Sequence, residues 1–287
     1  MANEAYLVDL TDAAAWLPTA FVPAVKGYWT EQLSIAQAAT DYSGRYTGGA
    51  KAIAIPKVPE TASTDKGSGT VLVYGTMSTL AAATINLTTQ KAQPFLVEDI
   101  VQMQTDVQMF QTFAQTAAER LSMDLDALLA TTVKGETTNT AITTTTDNTI
   151  TYQNLLSAQS TFNGQRIKIK NCVLGIAPGA FELSVADWGD KYMSATYRNA
   201  AEPGFWYTGA EGRILGMQVF VDGNWTSGTT DECATIWHPS ALAYASSGPL
   251  MVGPTPEPLY IGYGWTLHQV MGAVVVNAYG VLKIVND

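Results

Sequence analysis

The longest regular pattern of apolar positions lies between Pro94 and about Thr132. Apolar residues recur there at intervals of three and four, which is the spacing of one face of an α-helix. They are Leu96, Ile100, Met103, Val107, Phe110, Ala114, Ala117, Leu121, Leu125 and Leu128. Pro94 suits a first helical turn, and Gly135 suits the end of the helix. At ~1.5 Å per residue, about 39 residues predict a rod of roughly 58 Å, against which other segments must pack.

Residues 1–50 predict an extended arm and not a compact unit. Pro18 and Pro23 interrupt any long helix in this segment. Its aromatic residues include Trp16, Phe21 and Trp29. Such rings need a surface to pack on, which is either the chain's own core or a neighbouring subunit.

Residues 51–93 predict an extended two-stranded excursion. The outward leg carries Ile53 and Ile55. The return leg alternates Ile85 and Leu87 with polar residues, as a half-buried strand does. The tip between the legs is polar and rich in turn-forming residues. An isolated hairpin is only marginally stable in water, so the excursion is expected to rest on another surface.

After the long helix, the pattern predicts a compact α/β unit. A threonine-rich stretch from about 131 to 152 favours a short hairpin or an exposed loop. Residues 152–162 then predict a helix, which Gly164 ends. The apolar run 172–177 predicts a buried central strand, and a helix over 179–188 follows it.

The C-terminal third predicts mainly strands. Residues 212–221 are interpreted as a turn followed by a strand, and 234–237 as a short strand. Ser240 is expected to N-cap a short helix through Tyr244. Residues 264–285 predict a pair of long strands, which return to pack beside the long helix.

The composition favours extensive contacts between subunits. The chain of 287 residues is 47 % apolar but only 14 % charged, below the ~25 % usual for soluble domains. A monomer with so little surface charge tends to associate. The net charge of −10 and the scattered basic residues argue against nucleic-acid binding over most of the surface. Arg166, Lys168 and Lys170 alternate, as the exposed side of a short strand would.

The sequence contains no recognisable catalytic or metal-binding motif. Cys172 and Cys233 lie outside any CxxC pair and are interpreted as two buried free thiols, with a disulfide as the less favoured alternative. His238 and His268 lack the spacing of zinc ligands; His238 is interpreted as a strand-end residue and His268 as a strand residue. The N-terminal residues lack the pattern of a signal peptide, and no apolar run reaches the ~18 residues of a membrane span. Folding in a reducing cytoplasm is therefore expected.

Two further groups of side chains are considered as candidates for chemistry. Asp124 and Asp126 lie two apart on the predicted helix and point in different directions, so they are interpreted as solvated helix-face charges. The aromatic residues Trp206, Tyr207 and Trp225 could line a ligand pocket. Contacts between subunits are the favoured interpretation, because interfaces are rich in aromatic residues.

The order of these parts resembles the major capsid proteins of tailed double-stranded DNA phages, which have the Hong Kong 97-type fold. The resemblance spans essentially the whole chain. It rests on QPFLVEDIVQMQTD leading into AAERLSMDLDALLA, then CVLGIAPGAFELSVAD, GRILGMQVFVDGNW, IWHPSALAYA and AVVVNAYGVLKI. Each stretch is weak by itself, but their order and spacing together are fairly specific.

The resemblance implies an α+β fold with an N-terminal arm, an extended β-hairpin loop, a long spine helix, a peripheral β-sheet and a compact α/β axial domain. The implied arm covers 1–50 and the implied loop 51–93. The implied peripheral domain covers 94–151 and 258–287, and the implied axial domain covers 152–257.

By the same resemblance, the chain is expected to be a structural protein without enzymatic activity or cofactor. It would assemble into hexamers and pentamers of an icosahedral head that encloses DNA. Expected partners are further copies of itself, separate scaffolding and portal proteins and, in some systems, a decoration protein. The expected location is the virion, after assembly in the host cytoplasm and without membrane association. Subunit contacts are expected at Trp16, Phe21, Trp29, Ile53, Ile55, Lys57, Lys66, Tyr74, Trp206 and Tyr207.

Two alternative functions stay open at this point. An encapsulin-type nanocompartment protein shares the fold but encloses a protein cargo. A monomeric α/β hydrolase-like or carbohydrate-binding protein would instead use the aromatic loops to line a deep pocket.

Overall fold

The computed structural model describes residues 34–46, 51–57, 81–98, 108–144, 149–194, 210–225, 232–257 and 262–286. The helices among these residues are α1 (Gln108–Lys134), α2 (Tyr152–Gly164) and α3 (Pro178–Trp188). The strands are β1 (Thr40–Asp41), β2 (Ala52–Lys57), β3 (Ala81–Asn86), β4 (Thr89–Glu98), β5 (Ile142–Thr143), β6 (Val173–Ile176), β7 (Tyr192–Ser194), β8 (Ala210–Ile214), β9 (Met217–Val221), β10 (Glu232–Trp237), β11 (Leu242–Ser246), β12 (Leu250–Glu257), β13 (Gly262–Val275) and β14 (Val281–Val285). Short 3-10 turns cover Ile35–Ala38, Ser43–Arg45, Ile169–Asn171, Gly189–Lys191, Pro239–Ala241 and Ala278–Gly280.

A seven-stranded sheet has the order β5-β14-β10-β6-β9-β8-β7. Its central strand β6 runs antiparallel to β10 and parallel to β9. All residues of β6 are buried, as the continuous apolar run predicted. Helices α2 and α3 contribute Leu155, Phe162 and Trp188 to the same core. The predicted central strand and its two helices are therefore confirmed.

Local sequence explains where these two helices begin. The Thr151 side chain accepts a hydrogen bond from the backbone N–H of Asn154, which satisfies one free donor of the first turn of α2. Pro178 occupies the first turn of α3, where its missing N–H costs nothing.

The second sheet has five strands and is built around the long strand β13. β13 pairs antiparallel with β4, β12 and β11, and β11 pairs in parallel with β1. Side chains of β13 alternate between the two faces of the sheet, so that Leu267 packs with α1, whereas Val270 and Val274 face the opposite side. Helix α1 contributes Ala114, Ala117, Ala118 and Leu121 to its contact with β13. The prediction that a closing strand packs beside the long helix is confirmed for β13.

The predicted long helix begins too early. Residues 89–98 form β4, which pairs with β13 along its whole length. Pro94 therefore lies in a strand, where it is tolerated because β4 pairs on one edge only within the described strands. Residues 99–107 lie outside the described part, and α1 then runs from Gln108 to Lys134. Leu96 matched the helical spacing by coincidence, and the pairing with a distant strand overrode it.

Two predictions for the C-terminal third are also wrong. The strands β13 and β14 do not pair with each other, because β13 lies in the five-stranded sheet and β14 in the seven-stranded sheet. The short helix expected after Ser240 is a 3-10 turn over Pro239–Ala241 followed by β11. The N-cap of this turn is His238, whose ring accepts a hydrogen bond from Ser240 N.

Three shorter segments differ from their predictions in a similar way. Residues 165–171 form a turn and a 3-10 turn, not a strand, although Arg166, Lys168 and Lys170 are exposed as expected. Residues 210–214 form strand β8, which pairs with β9 across a two-residue turn. Within its described residues, the threonine-rich stretch contributes one short strand, β5, which pairs in parallel with β14.

The sheets also cut across the domain boundaries that the resemblance implied. β11 and β12, placed in the axial range, pair with β13 in the five-stranded sheet. β5 and β14, placed in the peripheral ranges, join the seven-stranded sheet. The α+β class is confirmed, whereas the division into arm, loop, peripheral and axial domains stays a prediction. None of the described helices is long and apolar enough to cross a membrane.

Gly175→Ala is expected to lower the free energy of unfolding by about 2 kcal/mol, because overpacking a core has costs of this size. A Cβ at Gly175 would lie 2.4 Å from the Trp225 ring. That ring stacks on Trp237 at 5.9 Å between centroids and donates to Thr235 Oγ1 at 3.1 Å, so it has little room to move. Urea denaturation of the unassembled subunit measures the loss. Gly164→Ala is the control, because a Cβ there meets nothing within 4 Å; equal stability of the two variants would contradict the prediction.

Candidate interaction surfaces

The β2–β3 pair rests on the five-stranded sheet, on the face opposite α1. The two strands pair antiparallel from Ala52 opposite Asn86 to Lys57 opposite Ala81, which confirms the two predicted legs. Their inward side chains and those of the sheet form one buried cluster. It consists of Ile53, Ile55, Ala83, Ile85, Leu87, Ala243 and Ala245. The predicted need for a supporting surface is therefore met by the chain itself.

A glycine allows the β2–β3 pair to pack this closely on the five-stranded sheet. A Cβ at Gly272 of β13 would lie 2.2 Å from the backbone oxygen of Asn86 and 3.1 Å from a methyl carbon of Ile85. Because the nearest atom belongs to the backbone, it cannot turn away as a side chain would. The absence of a side chain at Gly272 therefore allows β3 to cross β13 at this point.

The residues predicted to form subunit contacts are only partly among those described. Ile53 and Ile55 are 7 % and 6 % exposed and contact the same chain, and Lys57 is half-buried. Outside the described residues lie Trp16, Phe21, Trp29, Lys66, Tyr74, Trp206 and Tyr207. Their role in subunit contacts stays a prediction.

Residues 34–46 connect both sheets, which the sequence did not predict. Ala38 accepts a hydrogen bond from Trp237 Nε1 at the end of β10. Further along, Tyr42 N donates to Tyr244 O, and the Ser43 hydroxyl accepts from Ser246 N on β11. Ile35 and Ala38 are fully buried in the main core. The segment is therefore an integral part of the fold.

A buried carboxylate anchors the start of this segment. Asp126 on α1 is 4 % exposed. Its Oδ2 accepts hydrogen bonds from Ser34 N and Ser34 Oγ, both at 2.9 Å, and its Oδ1 accepts one from Ala36 N at 3.0 Å. Burial raises the pKa of Asp126 above its usual 3.8, and the hydrogen bonds from the segment oppose this rise. The prediction of a solvated charge is thus wrong for Asp126, because its donors lie about 90 positions away in sequence.

The outer face of the five-stranded sheet carries exposed apolar side chains. In the register of the sheet, Leu96 lies opposite Gly264, Val252 opposite Thr266 and Leu250 opposite His268. Their partners on β13 are two residues apart, so all three project from one face. They are 37 %, 55 % and 42 % exposed. A surface of this kind is typical of a protein contact.

An open cleft of about 300 Å³ lies on the other side of the same sheet, between β4 and α1. Phe95 and Phe113 stack in it with ring centroids 6.2 Å apart, and Arg120 lines it. Apart from this cation, the described residues of its walls are apolar or neutral, and none of them is a carboxylate, histidine or thiol for acid–base or nucleophilic chemistry.

The aromatic and histidine candidates have structural positions. Trp225 is 2 % exposed in the main core, so it lines neither a pocket nor a subunit contact, and that interpretation is wrong for it. His238 follows the end of β10, and His268 lies in β13, as predicted. Desolvation lowers the pKa of His238. Among the described residues, no group of three or more His, Cys, Asp and Glu side chains is placed to hold a metal ion.

Both cysteines are buried free thiols, as predicted. Burial raises the pKa of Cys172 to about 12 and that of Cys233 to about 11. Since the thiolate is the reactive form, neither cysteine is expected to react with Ellman's reagent in the native subunit at pH 8. After unfolding in guanidinium, both should react. Rapid modification of one native cysteine would contradict this burial.

No protein-family model matches the sequence. No curated protein matches it either. Comparison with solved structures, however, finds the fold. A structure from Mycobacterium phage Che8 matches with a TM-score of 0.63 and 18 % identity, over 88 % of this chain and 90 % of that chain. A capsid structure of the cyanophage P-SCSP1u matches with a TM-score of 0.64 and 14 % identity, over 88 % of both chains.

A third structure, a virus-like particle from Pyrococcus furiosus, has a TM-score of 0.55 and 10 % identity over 93 % of this chain and 97 % of that chain. The chain thus has the fold of phage capsid proteins over most of its length, and the fold that the resemblance predicted is confirmed.

Proposed function

We propose that the chain is a structural protein that assembles into a closed shell, as the major capsid protein of a tailed double-stranded DNA phage. The observation that carries this proposal is the match to phage capsid structures over nearly nine-tenths of both chains. A match of that extent concerns most of the fold and not one shared motif.

The surfaces of the chain support a role in assembly. The outer face of the five-stranded sheet exposes Leu96, Leu250 and Val252, and the charged content of the chain is only 14 %. Flat apolar surfaces with little charge allow many modest contacts between copies, and the sum of these contacts stabilises a shell. The role is structural and involves no substrate turnover.

The proposal also includes the form of the shell, the partner proteins and the location of the chain. Copies assemble into hexamers and pentamers of an icosahedral head, which encloses DNA without reading its sequence. Separate scaffolding and portal proteins, and in some systems a decoration protein, act with it. The chain is made and assembled in the host cytoplasm and ends in the virion. The net charge of −10 keeps most of the surface from gripping the packaged DNA.

Expression of the full chain, followed by size-exclusion chromatography and electron microscopy, tests the proposal. Rings of five and six copies, or shells tens of nanometres wide, are the expected result. A stable monomer of 30.7 kDa under all conditions would overturn it, and would leave the hydrolase-like and carbohydrate-binding alternatives to be examined by turnover and ligand binding.

A nanocompartment shell is the second candidate function. A virus-like particle from Pyrococcus furiosus matches over nearly the whole of both chains, so the fold alone fits both kinds of shell. The contents of purified shells distinguish the two functions. Nuclease-protected double-stranded DNA in shells isolated from the native source is expected for a capsid, whereas a bound protein cargo without nucleic acid would favour the nanocompartment.

A further inference from the structure

Two turns of the seven-stranded sheet contact each other and form an unusual surface patch. One is the segment 165–171 after α2, and the other is the two-residue turn between β8 and β9. A Cβ built on Gly216 of the second turn would lie 2.9 Å from Lys170 Cβ of the first. We call Arg166, Lys168, Lys170 and Leu215 the basic turn patch. Its three cations are exposed, and Leu215 is half-buried.

Backbone strain is concentrated in this patch. Arg166 has φ 61° and Leu215 has φ 51°, and among the described residues no other non-glycine residue has a positive φ. This conformation is unfavourable for residues with a side chain, because the Cβ comes too close to the following carbonyl oxygen. Strained residues cluster at functional sites, so two of them in one patch motivate a functional hypothesis.

Both positions favour other residue types. Arg166 follows the end of α2, where Ile167 N donates to Phe162 O and Arg166 N donates to Asn163 O. This is the Schellman arrangement, in which glycine or asparagine normally occupies the left-handed position. Leu215 and Gly216 both have positive φ, as in a type I′ turn, where asparagine is preferred before glycine. The chain thus has an arginine and a leucine at two positions where glycine or asparagine would be less strained.

The three cations have no ion-pair or hydrogen-bond partner among the described residues. Lys51, Lys57 and Arg120 share this property, whereas several other described cations have partners. Lys91 pairs with Asp124, Lys134 and Lys283 donate to backbone carbonyls, and Lys191 lies over the Tyr152 ring. Unpaired cations in a chain of net charge −10 offer their charge to a partner outside the chain.

A complementary surface exists on α3 of the same protein. Glu182, Leu183, Asp187 and the following Asp190 are all exposed. Their spacing of one, four and three residues places them on one side of the helix and its C-terminal turn. Leu183 is 51 % exposed between the carboxylates. An apolar centre with a charged rim is the usual composition of a protein contact.

We propose that the basic turn patch of one subunit docks on the acidic α3 face of a second copy of this chain. Leu215 and Leu183 supply the apolar part of this contact, and the cations and carboxylates supply its rim. Two different patches meeting head to tail form a heterologous contact, which generates rings when the rotation closes. The inference rests on the proposed function, to which it adds a specific ring contact. Double-stranded DNA is the less favoured partner, because its phosphate groups make no favourable contact with an apolar side chain such as Leu215.

Charge reversal tests the contact. Lys168→Glu with Lys170→Glu should leave the thermal midpoint of the unassembled subunit unchanged and raise the concentration needed for ring formation about tenfold, because like charges then face each other. Lys51→Glu with Arg120→Glu is a charge-matched control that should assemble like the wild-type chain. Adding Glu182→Lys and Asp190→Lys to the first variant restores the opposite charges and the original net charge, and should restore assembly.

Relief of strain gives a second, independent test. Arg166→Gly and Leu215→Asn should each raise the thermal midpoint of the unassembled subunit by about 2 °C. Both should nevertheless weaken ring formation. A merely structural role for the two turns would raise the midpoint without any effect on assembly, and that result would count against the contact.

The outcomes separate this inference from the proposed function. If the wild-type chain forms no rings or shells, the proposed function fails. If the wild-type chain and the Lys168→Glu, Lys170→Glu variant assemble equally, only the inferred contact fails. If the variant assembles normally but binds a double-stranded DNA oligonucleotide more weakly and with less salt dependence, the patch is a DNA contact and the inference is overturned.

Discussion

Replacing Gly272 by alanine should displace the β2–β3 pair from the five-stranded sheet and lower the free energy of unfolding by about 3 kcal/mol, the upper end of the usual cost of overpacking. The new Cβ would lie 2.2 Å from Asn86 O, a backbone atom that cannot rotate away. The contact can be relieved only if β3 lifts off, which exposes Ile53, Ile55 and Ile85. Each isoleucine side chain contributes about 1.5–3 kcal/mol when fully buried, so partial exposure of the three accounts for a loss of this size.

Two measurements on this variant separate stability from assembly. Urea denaturation of the subunit gives the loss of stability, and electron microscopy gives the yield of shells, which we expect to fall sharply. Gly223→Ala is the matched control, because a Cβ there meets nothing within 4 Å. A Gly272→Ala variant as stable as this control would show that β3 does not cross β13 closely.

Replacing Asp126 by alanine should cost about 2–4 kcal/mol, since an orphaned buried donor such as Ala36 N costs roughly 1–3 kcal/mol and the partly buried donors of Ser34 add less. The variant leaves Ser34 N, Ser34 Oγ and Ala36 N without their acceptor. The 34–46 segment should then open more often, which hydrogen exchange at Ala36 N and proteolysis within the segment would detect. Urea denaturation measures the change in stability.

Asp124→Ala is a control two residues away on the same helix. Its carboxylate lies 3.9 Å from Lys91 Nζ, and both side chains are partly exposed, at 23 % and 49 %. Exposed ion pairs contribute little, so the expected loss is below about 0.5 kcal/mol. Similar losses from both variants would contradict the anchoring role of Asp126.

Because the pKa of Asp126 is raised, the contribution of this residue to the free energy of unfolding should depend on pH. Because its pKa in the folded chain lies above the usual 3.8, the stability that this group contributes is fully present below pH 3.8 and is lost as the pH rises through the folded value. Asp126→Asn cannot titrate. The free energy of unfolding of the wild-type subunit, minus that of the Asn variant, should therefore fall as the pH rises from 3.8. A difference that stays constant over this range would argue against the burial of the carboxylate.

For the long helix, the apolar pattern predicted one end correctly and the other end wrongly. Its body and its end near Lys134 agree with the apolar spacing, because packing against β13 uses that face. Its predicted start does not, because a short stretch can match both a helix and a strand. The ladder between β4 and β13 decided the case, and these strands are more than 160 positions apart in sequence.

The positions of Asp126 and Gly272 depended even more on contacts that the sequence pattern does not reveal. The spacing of Asp124 and Asp126 indicated that they point in different directions, which is correct. It did not indicate which one is buried, since the donors to Asp126 come from residues 34–36. Gly272 carried no signal either, because a glycine in a strand pattern does not reveal which other strand approaches it.

The sequence by itself determined the features that depend on neighbouring residues: helices α2 and α3, the buried strand β6, the alternating legs of the β2–β3 pair and the order of parts that resembles a phage capsid protein. The tertiary structure alone decided which strands share a sheet, the separation of β13 from β14, the seat at Gly272 and the anchor at Asp126. The physical reason is the range of the interactions. Periodicity, capping and turn chemistry act over a few residues, whereas strand pairing and buried hydrogen bonds join residues that only the folded chain brings together.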